Sequence, residues 1–170
     1  WDVMIYHQQT FQPIKFNSAD ITILEHGPLV AILQLQWTIS PMSKIKQQIT
    51  VEYDSAVIRF DTTVRWFESR KLLKVQFPTA IRSGRVTYDT QFGHIERTTN
   101  KNTTWEQAKF EVCHHQWADI SEYNFGMSLL NNSKYGISAS DNTLQLTLLK
   151  AAKAPDITAD MGEHQFTYAV

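Results

Sequence analysis

Residues 110–122 read FEVCHHQWADISE and bring Cys113, His114, His115, Asp119 and Glu122 into one short stretch. Thiolate, imidazole and carboxylate are the donors zinc takes, and structural sites space them as paired C-x2-4-C or H-x3-5-H ligands in tetrahedral sets. This chain has a single cysteine, and its two histidines here are adjacent. Read as a strand, Phe110, Val112 and His114 face one way and Glu111, Cys113, His115 and Trp117 the other. Cys113 and His115 could then meet a common ion, but His114 could not join them. The plainer reading is a strand with one packed thiol and one hydrogen-bonded imidazole, and with Glu111 beside large apolar neighbours. Nucleophilic catalysis by Cys113 needs a setting that favours the thiolate, and no helix N-terminus is legible beside it.

A second stretch, LLNNSKYG, places Asn131, Asn132, Lys134 and Tyr135 at a sharp turn closed by Gly136. Amide, ammonium and phenol groups at a sheet edge suit recognition of vicinal hydroxyls, because each offers directional donors; the alternative is a plain Asn-rich turn. Five Trp, six Tyr and nine Phe could build a sugar-stacking platform, although in a β-sandwich most aromatics belong to the core. G-x-G-x-x-G, P-loop and G-x-S-x-G motifs are missing. The sequons Asn102-Thr103-Thr104 and Asn131-Asn132-Ser133 matter only in a secretory compartment.

The elements that must position these residues are strands. Ile45, Gln47, Ile49, Val51 and Tyr53 alternate with Lys46, Gln48, Thr50 and Glu52; Asp54-Ser55 turns, and VIRFDTTVRWF resumes the alternation. LLKVQF, ending at Pro78, then RVTYDTQF, AKFEVCHHQW, GMSLL, NTLQLTLLK and HQFTYAV continue the series. HGP, PMS, SGR, TTNKNTT, LNNSKYG and SDN supply turns between them. WEQAK reads as a strand lead-in, and KAAKAPDITAD has room for a turn of helix interrupted at Pro155. These patterns predict an all-β fold of roughly ten strands in two packed antiparallel sheets, a large sandwich forming one domain over residues 1–170.

Composition excludes several classes. The 170 residues are 42% hydrophobic and 19% charged with a formal net charge of −1. Such a chain buries roughly two-thirds of its unfolded surface. Scattered Lys and Arg make no basic field for a phosphate backbone, so nucleic acid is not an expected partner. No apolar run approaches the roughly 18 residues of a membrane span, and no cleavable signal is legible. One cysteine gives no internal disulfide and fits a reducing compartment. The chain begins at Trp1-Asp2-Val3-Met4 and stops at FTYAV inside an alternating pattern, which reads as a domain excised from a longer protein.

WDVMIYH, VRWFESRKLLKVQFP, YDTQFGHIERTTNKNTTWEQAKFEVCHHQWADISE, FGMSLLNNSKYG and KAPDITADMGEHQFTYA carry a resemblance from Trp1 to Val170. They resemble the C-terminal β-domain of the class II α-mannosidases, glycoside hydrolase family 38, and within it the cytosolic and fungal vacuolar branch. The resemblance implies a distorted supersandwich of the kind seen in galactose mutarotase, agreeing with the periodicity. It also implies a complete enzyme that hydrolyses terminal α-linked mannose with retention, which requires two closely spaced carboxyl groups. An aspartate nucleophile and the aspartate and histidine ligands of a zinc ion lie, by that resemblance, in an N-terminal half outside this sequence. The family pattern reads C-G-H-K-W or C-A-H-R-W here, so His114 stands where Gly or Ala is frequent, and His115 recurs without being a zinc ligand. FEVCHHQW is then a structural strand.

Carried over residue by residue, the family's LLND-x-KYG keeps Lys134 and Tyr135 and has Asn132 for Asp. Lys150 stands where Arg is usual, which weakens a bidentate contact. Asp156, Asp160, Glu163 and His164 are kept, whereas Thr98 and Asn100 replace Pro and His of RPTH-x-NTSW. Asn132, Lys134, Tyr135 and Lys150 are accordingly the candidate substrate-binding residues, with no catalytic residue and no metal ligand expected in these 170 residues. Three roles stay open: a non-catalytic wall of the mannosidase cleft packed on the catalytic half, a carbohydrate-binding module, or a structural domain for homo-oligomer contacts. The branch implies synthesis in the cytosol, with delivery to the vacuole in fungi.

Overall fold

The computed structural model describes residues 2–15 and 20–170; Trp1, with which the WDVMIYH motif begins, lies outside them. Two compact units are present, one of residues 9–71 with 151–170 and one of residues 2–8 with 72–150. Thirteen strands, numbered in chain order, form among the described residues, and the strand pairs within each unit run antiparallel.

In the first unit β1 (Ile21–His26), β2 (Val30–Thr38), β3 (Lys44–Glu52), β4 (Ile58–Trp66) and β13 (Gly162–Ala169) lie side by side in that order. The long strands read at 43–53 and 57–67 are β3 and β4, and their alternation sets one apolar face. One row across it runs Leu35–Gln47–Thr62–Phe166 and the next Leu33–Ile49–Phe60–Tyr168. Gln47 is buried in this face, and its Nε2 donates to Thr62 Oγ1 at 2.9 Å and Tyr168 Oη at 2.6 Å, so the intruding amide is satisfied. Burial pushes the Tyr168 phenol up to about 12.

The second unit holds two sheets. β5 (Leu72–Pro78), β12 (Thr143–Lys150), β11 (Gly136–Ser140) and the two-residue β8 (Val112–Cys113) form one, in that order. β10 (Phe125–Asn131), β9 (Trp117–Glu122), β6 (Arg85–Thr90) and β7 (Gly93–Thr98) are neighbours in the other. Period-2 burial supplies the core: Leu144, Leu146 and Leu148 on β12, Ile137 on β11, and Val86, Tyr88, Ala118, Ile120 and Leu129 on β6, β9 and β10.

Several local expectations need correction. AKFEVCHHQW is not one strand: β8 pairs with β11 and β9 with β6 and β10, so the chain leaves one sheet at His114 and enters the other at Trp117. That crossing exposes the Cys113 thiol, which is not packed, while His114 is buried. Glu111 has Lys74, not large apolar side chains, as its partner. WEQAK is no strand lead-in but belongs to helix α1 (Thr104–Ala108). Thr103 Oγ1 accepts from Glu106 N at 3.3 Å and Glu106 Oε2 accepts from Thr103 N at 3.1 Å, a capping box that the T-x-x-E spacing carries. Residues 151–161 hold turns where a helical turn had room: Asp156 Oδ1 accepts from the N and Oγ1 of Thr158, both at 2.8 Å, which holds its carboxyl below the usual range.

Candidate functional site

Asn132, Lys134 and Tyr135 share the crossover from β10 to β11 and so pass from one sheet of the second unit to the other, not around a sheet edge. Asn131 shapes it. Its Oδ1 accepts from Ser133 N at 3.1 Å and Lys134 N at 2.7 Å, an Asx-type turn, so its amide faces inward and is not offered to a ligand. Its Nδ2 donates to His115 O at 2.9 Å and lies 3.0 Å from His114 Nε2. At the far end Tyr135 O accepts from His114 N at 2.9 Å and stands 3.1 Å from His114 Nδ1. The 114–116 segment between β8 and β9 is thereby the bed on which the crossover lies.

Beyond this bed the surface is polar and aromatic. The Tyr135 ring, 54% exposed, sits 5.4 Å from the His115 ring at 38°. Gln91 Nε2 lies 3.4 Å from His115 Nε2 at the turn between β6 and β7, and Phe92 next to it projects fully into solvent. Beneath, Tyr88 meets the His114 ring edge-on at 6.5 Å, and the Arg97 guanidinium lies 4.7 Å from the Tyr88 ring centroid. Burial raises the Tyr88 phenol to about 12 and lowers the His114 imidazole below its ordinary value. Arg97 Nη1 is buried without a hydrogen-bond partner among the described residues.

Behind the start of β11, Lys74 on β5 and Thr147 on β12 both bond the Glu111 carboxylate, and Lys74 Nζ donates to Ser138 Oγ at 2.9 Å. The ion pair is nearly closed from solvent, with side-chain exposures of 7% and 14%. Burial pulls the Lys74 ammonium down, against the opposing charge of Glu111. Gly136 ends the crossover against this cluster: a Cβ there would stand 3.0 Å from Thr147 Cβ and 3.3 Å from Glu111 Oε1. Lys150 is on a different element, half-buried opposite Leu72 of β5. The register nevertheless puts it three residues beyond Thr147, at the end of β12 beside which β11 begins.

Both His114 nitrogens face groups of the crossover, and among the described residues no three His, Cys, Asp or Glu side chains gather where they could share an ion. Among these residues, too, no helix is long and apolar enough to cross a membrane.

Comparison with known proteins places the whole arrangement. The family model for the glycosyl hydrolases family 38 C-terminal domain matches residues 1–158. The chain belongs to that family. Over its full length it is 46% identical to Alpha-mannosidase 2C1 of Mus musculus, 43% to Alpha-mannosidase G of Dictyostelium discoideum and 40% to Alpha-mannosidase of Saccharomyces cerevisiae. In each case it spans only 16% of the relative. The crystal structure of an α-mannosidase from Enterococcus faecalis V583 superposes with a TM-score of 0.77 at 19% identity, over 88% of this chain and 21% of that one. The all-β, two-sheet antiparallel class predicted for this family 38 domain is therefore also the fold of a solved structure. Sequence reasoning passed over His114 and the Lys74–Glu111 pair as supports of the crossover. Gly at the end of KYG was the legible signal of a close approach there.

Proposed function

We propose that the chain is a non-catalytic β-domain in the C-terminal half of a longer, retaining α-mannosidase that removes terminal α-linked mannose from free oligosaccharides or glycans. The 170 residues act as one domain that packs on the catalytic half of the same polypeptide and forms a wall of the substrate cleft. Asn132, Lys134, Tyr135 and Lys150 are its substrate-facing residues: amide, ammonium and phenol groups suited to hydroxyl recognition. Nucleophile, acid/base carboxyl and zinc ligands come from the catalytic half. Glu111, behind the crossover's final glycine, is engaged by Lys74 and Thr147, which supports a structural role for its carboxylate. The observation that carries the reading is 46% identity over the entire chain to 16% of a protein named an α-mannosidase. We place the enzyme in the cytoplasm, with delivery to the vacuole as a variant, and as a homo-oligomer; the lone, unpaired Cys113 supports a reducing compartment.

The purified 170-residue chain should leave p-nitrophenyl α-mannoside intact while the longer protein hydrolyses it; turnover by the chain alone overturns the proposal. A second reading, a carbohydrate-binding module, draws on the exposed Tyr135 ring beside His115. Saturable binding of mannose oligosaccharides by the isolated chain favours it over the wall of a cleft.

A further inference from the structure

We propose that His114 is a positioning residue that holds the 131–135 crossover in shape only as a neutral imidazole protonated at Nδ1, and that its protonation releases the crossover. The assignment follows from counting donors. Asn131 Oδ1 receives two backbone N–H groups, from Ser133 and Lys134, which fixes the orientation of the amide. Flipping it would set its oxygen against the His115 carbonyl, now 2.9 Å from Nδ2. Nδ2 is therefore the donor toward His114, and His114 Nε2, 3.0 Å away, must accept. The other nitrogen leads independently to the same tautomer. Nδ1 faces Tyr135 O at 3.1 Å, and a carbonyl oxygen can only accept.

An imidazolium would carry N–H at both nitrogens and turn the Asn131 contact into donor against donor. The neighbours also resist it. Tyr88 from β6 packs edge-on, and Arg97 from β7 and His115 oppose a positive charge, while the Tyr135 carbonyl and Asp89 from β6 favour one. Burial is the largest cause, and it lowers the imidazole below its ordinary value. Because the folded-state value is depressed, the clamp is complete above the unfolded value of about 6.5. It is lost as the pH falls through the folded value. The consequence for Lys134 and Tyr135 as substrate-facing residues rests on the function proposed above; the clamp itself does not.

Amide hydrogen exchange of the peptide spanning 131–135, followed by mass spectrometry in the full-length protein, reads the clamp without reference to activity. At about pH 7.5 the parent peptide should be protected, and at about pH 5 it should lose protection after correction for intrinsic exchange. His114→Ala removes both ring contacts and should raise exchange by about tenfold or more at neutral pH. His114→Gln keeps an acceptor toward Asn131 without titrating, and should stay protected at both pH values. Core peptides of β12 report whether each variant is folded. Protection in the parent that ignores pH, or a His114→Gln protein that opens in acid like the parent, overturns the clamp. Normal mannoside kinetics in Lys134→Ala alongside the expected exchange pattern would instead count against the cleft and leave the clamp standing.

Discussion

Glu111 shows how much a single residue of the crossover's support depends on partners remote in sequence. Its carboxylate is held by Lys74 and Thr147, and the ammonium reaches on to Ser138. Removing one member of so buried an ion pair leaves the other charge uncompensated, which costs roughly 3–5 kcal/mol. Glu111→Ala should therefore lower the chemical-denaturation midpoint strongly. The paired change Lys74→Met with Glu111→Leu should recover most of the loss; equal losses in both proteins would show that the charge pair is not what holds the site. None of this is legible around position 111, where Phe110 and Val112 suggest an apolar setting. Gly136 was visible in KYG, but its cause, the Cβ of Thr147 on the neighbouring strand, was not. His114 is the same kind of case. The adjacent-histidine spelling invites a metal reading, while the true partners, Asn131 and the Tyr135 carbonyl, arrive from the end of β10 and the crossover that follows it.

Among the elements, the long alternating strands were readable because one face is buried and the other wet, as along β3, β4 and β12. Short elements were not. β7 is exposed at five of its six residues, so no burial pattern marks it, and β8 and β9 merge into one apparent strand because no turn residue announces the passage between sheets. α1 failed for a different reason: five residues are too few for helical periodicity, and only the capping box betrays it. Thr103→Ala removes the acceptor for Glu106 N and should cost about 1 kcal/mol. That loss should appear as faster amide exchange over 104–108 with β12 unchanged. Unaltered exchange there would mean that tertiary packing, not the cap, maintains the helix.

For the molecule as a whole, the fold class followed from patterning, while the candidate site depended on resemblance, because nothing in a polar loop's composition separates a ligand contact from a solvated turn. The first unit adds a consequence of its own. Its apolar face is closed around Ile45, Val64 and Trp66 but opens toward Ile23, Leu33, Val51 and Ile58, with Ile23 62% and neighbouring Leu29 72% exposed. Exposed apolar rows beside a strand edge promote association. The isolated chain should thus self-associate with rising concentration in light scattering, and Ile23→Lys with Leu29→Lys should suppress it; a parent chain that stays monomeric throughout removes that role for the face.

Lys134 in the full-length protein tests most directly the proposal that this domain contributes to mannoside turnover by contact and not by chemistry. Loss of a charge-assisted hydrogen bond to a sugar hydroxyl should lower kcat/KM for Lys134→Ala by about tenfold or more, with the protein folded and the catalytic half intact. Steady-state constants indistinguishable from those of the parent enzyme would contradict it.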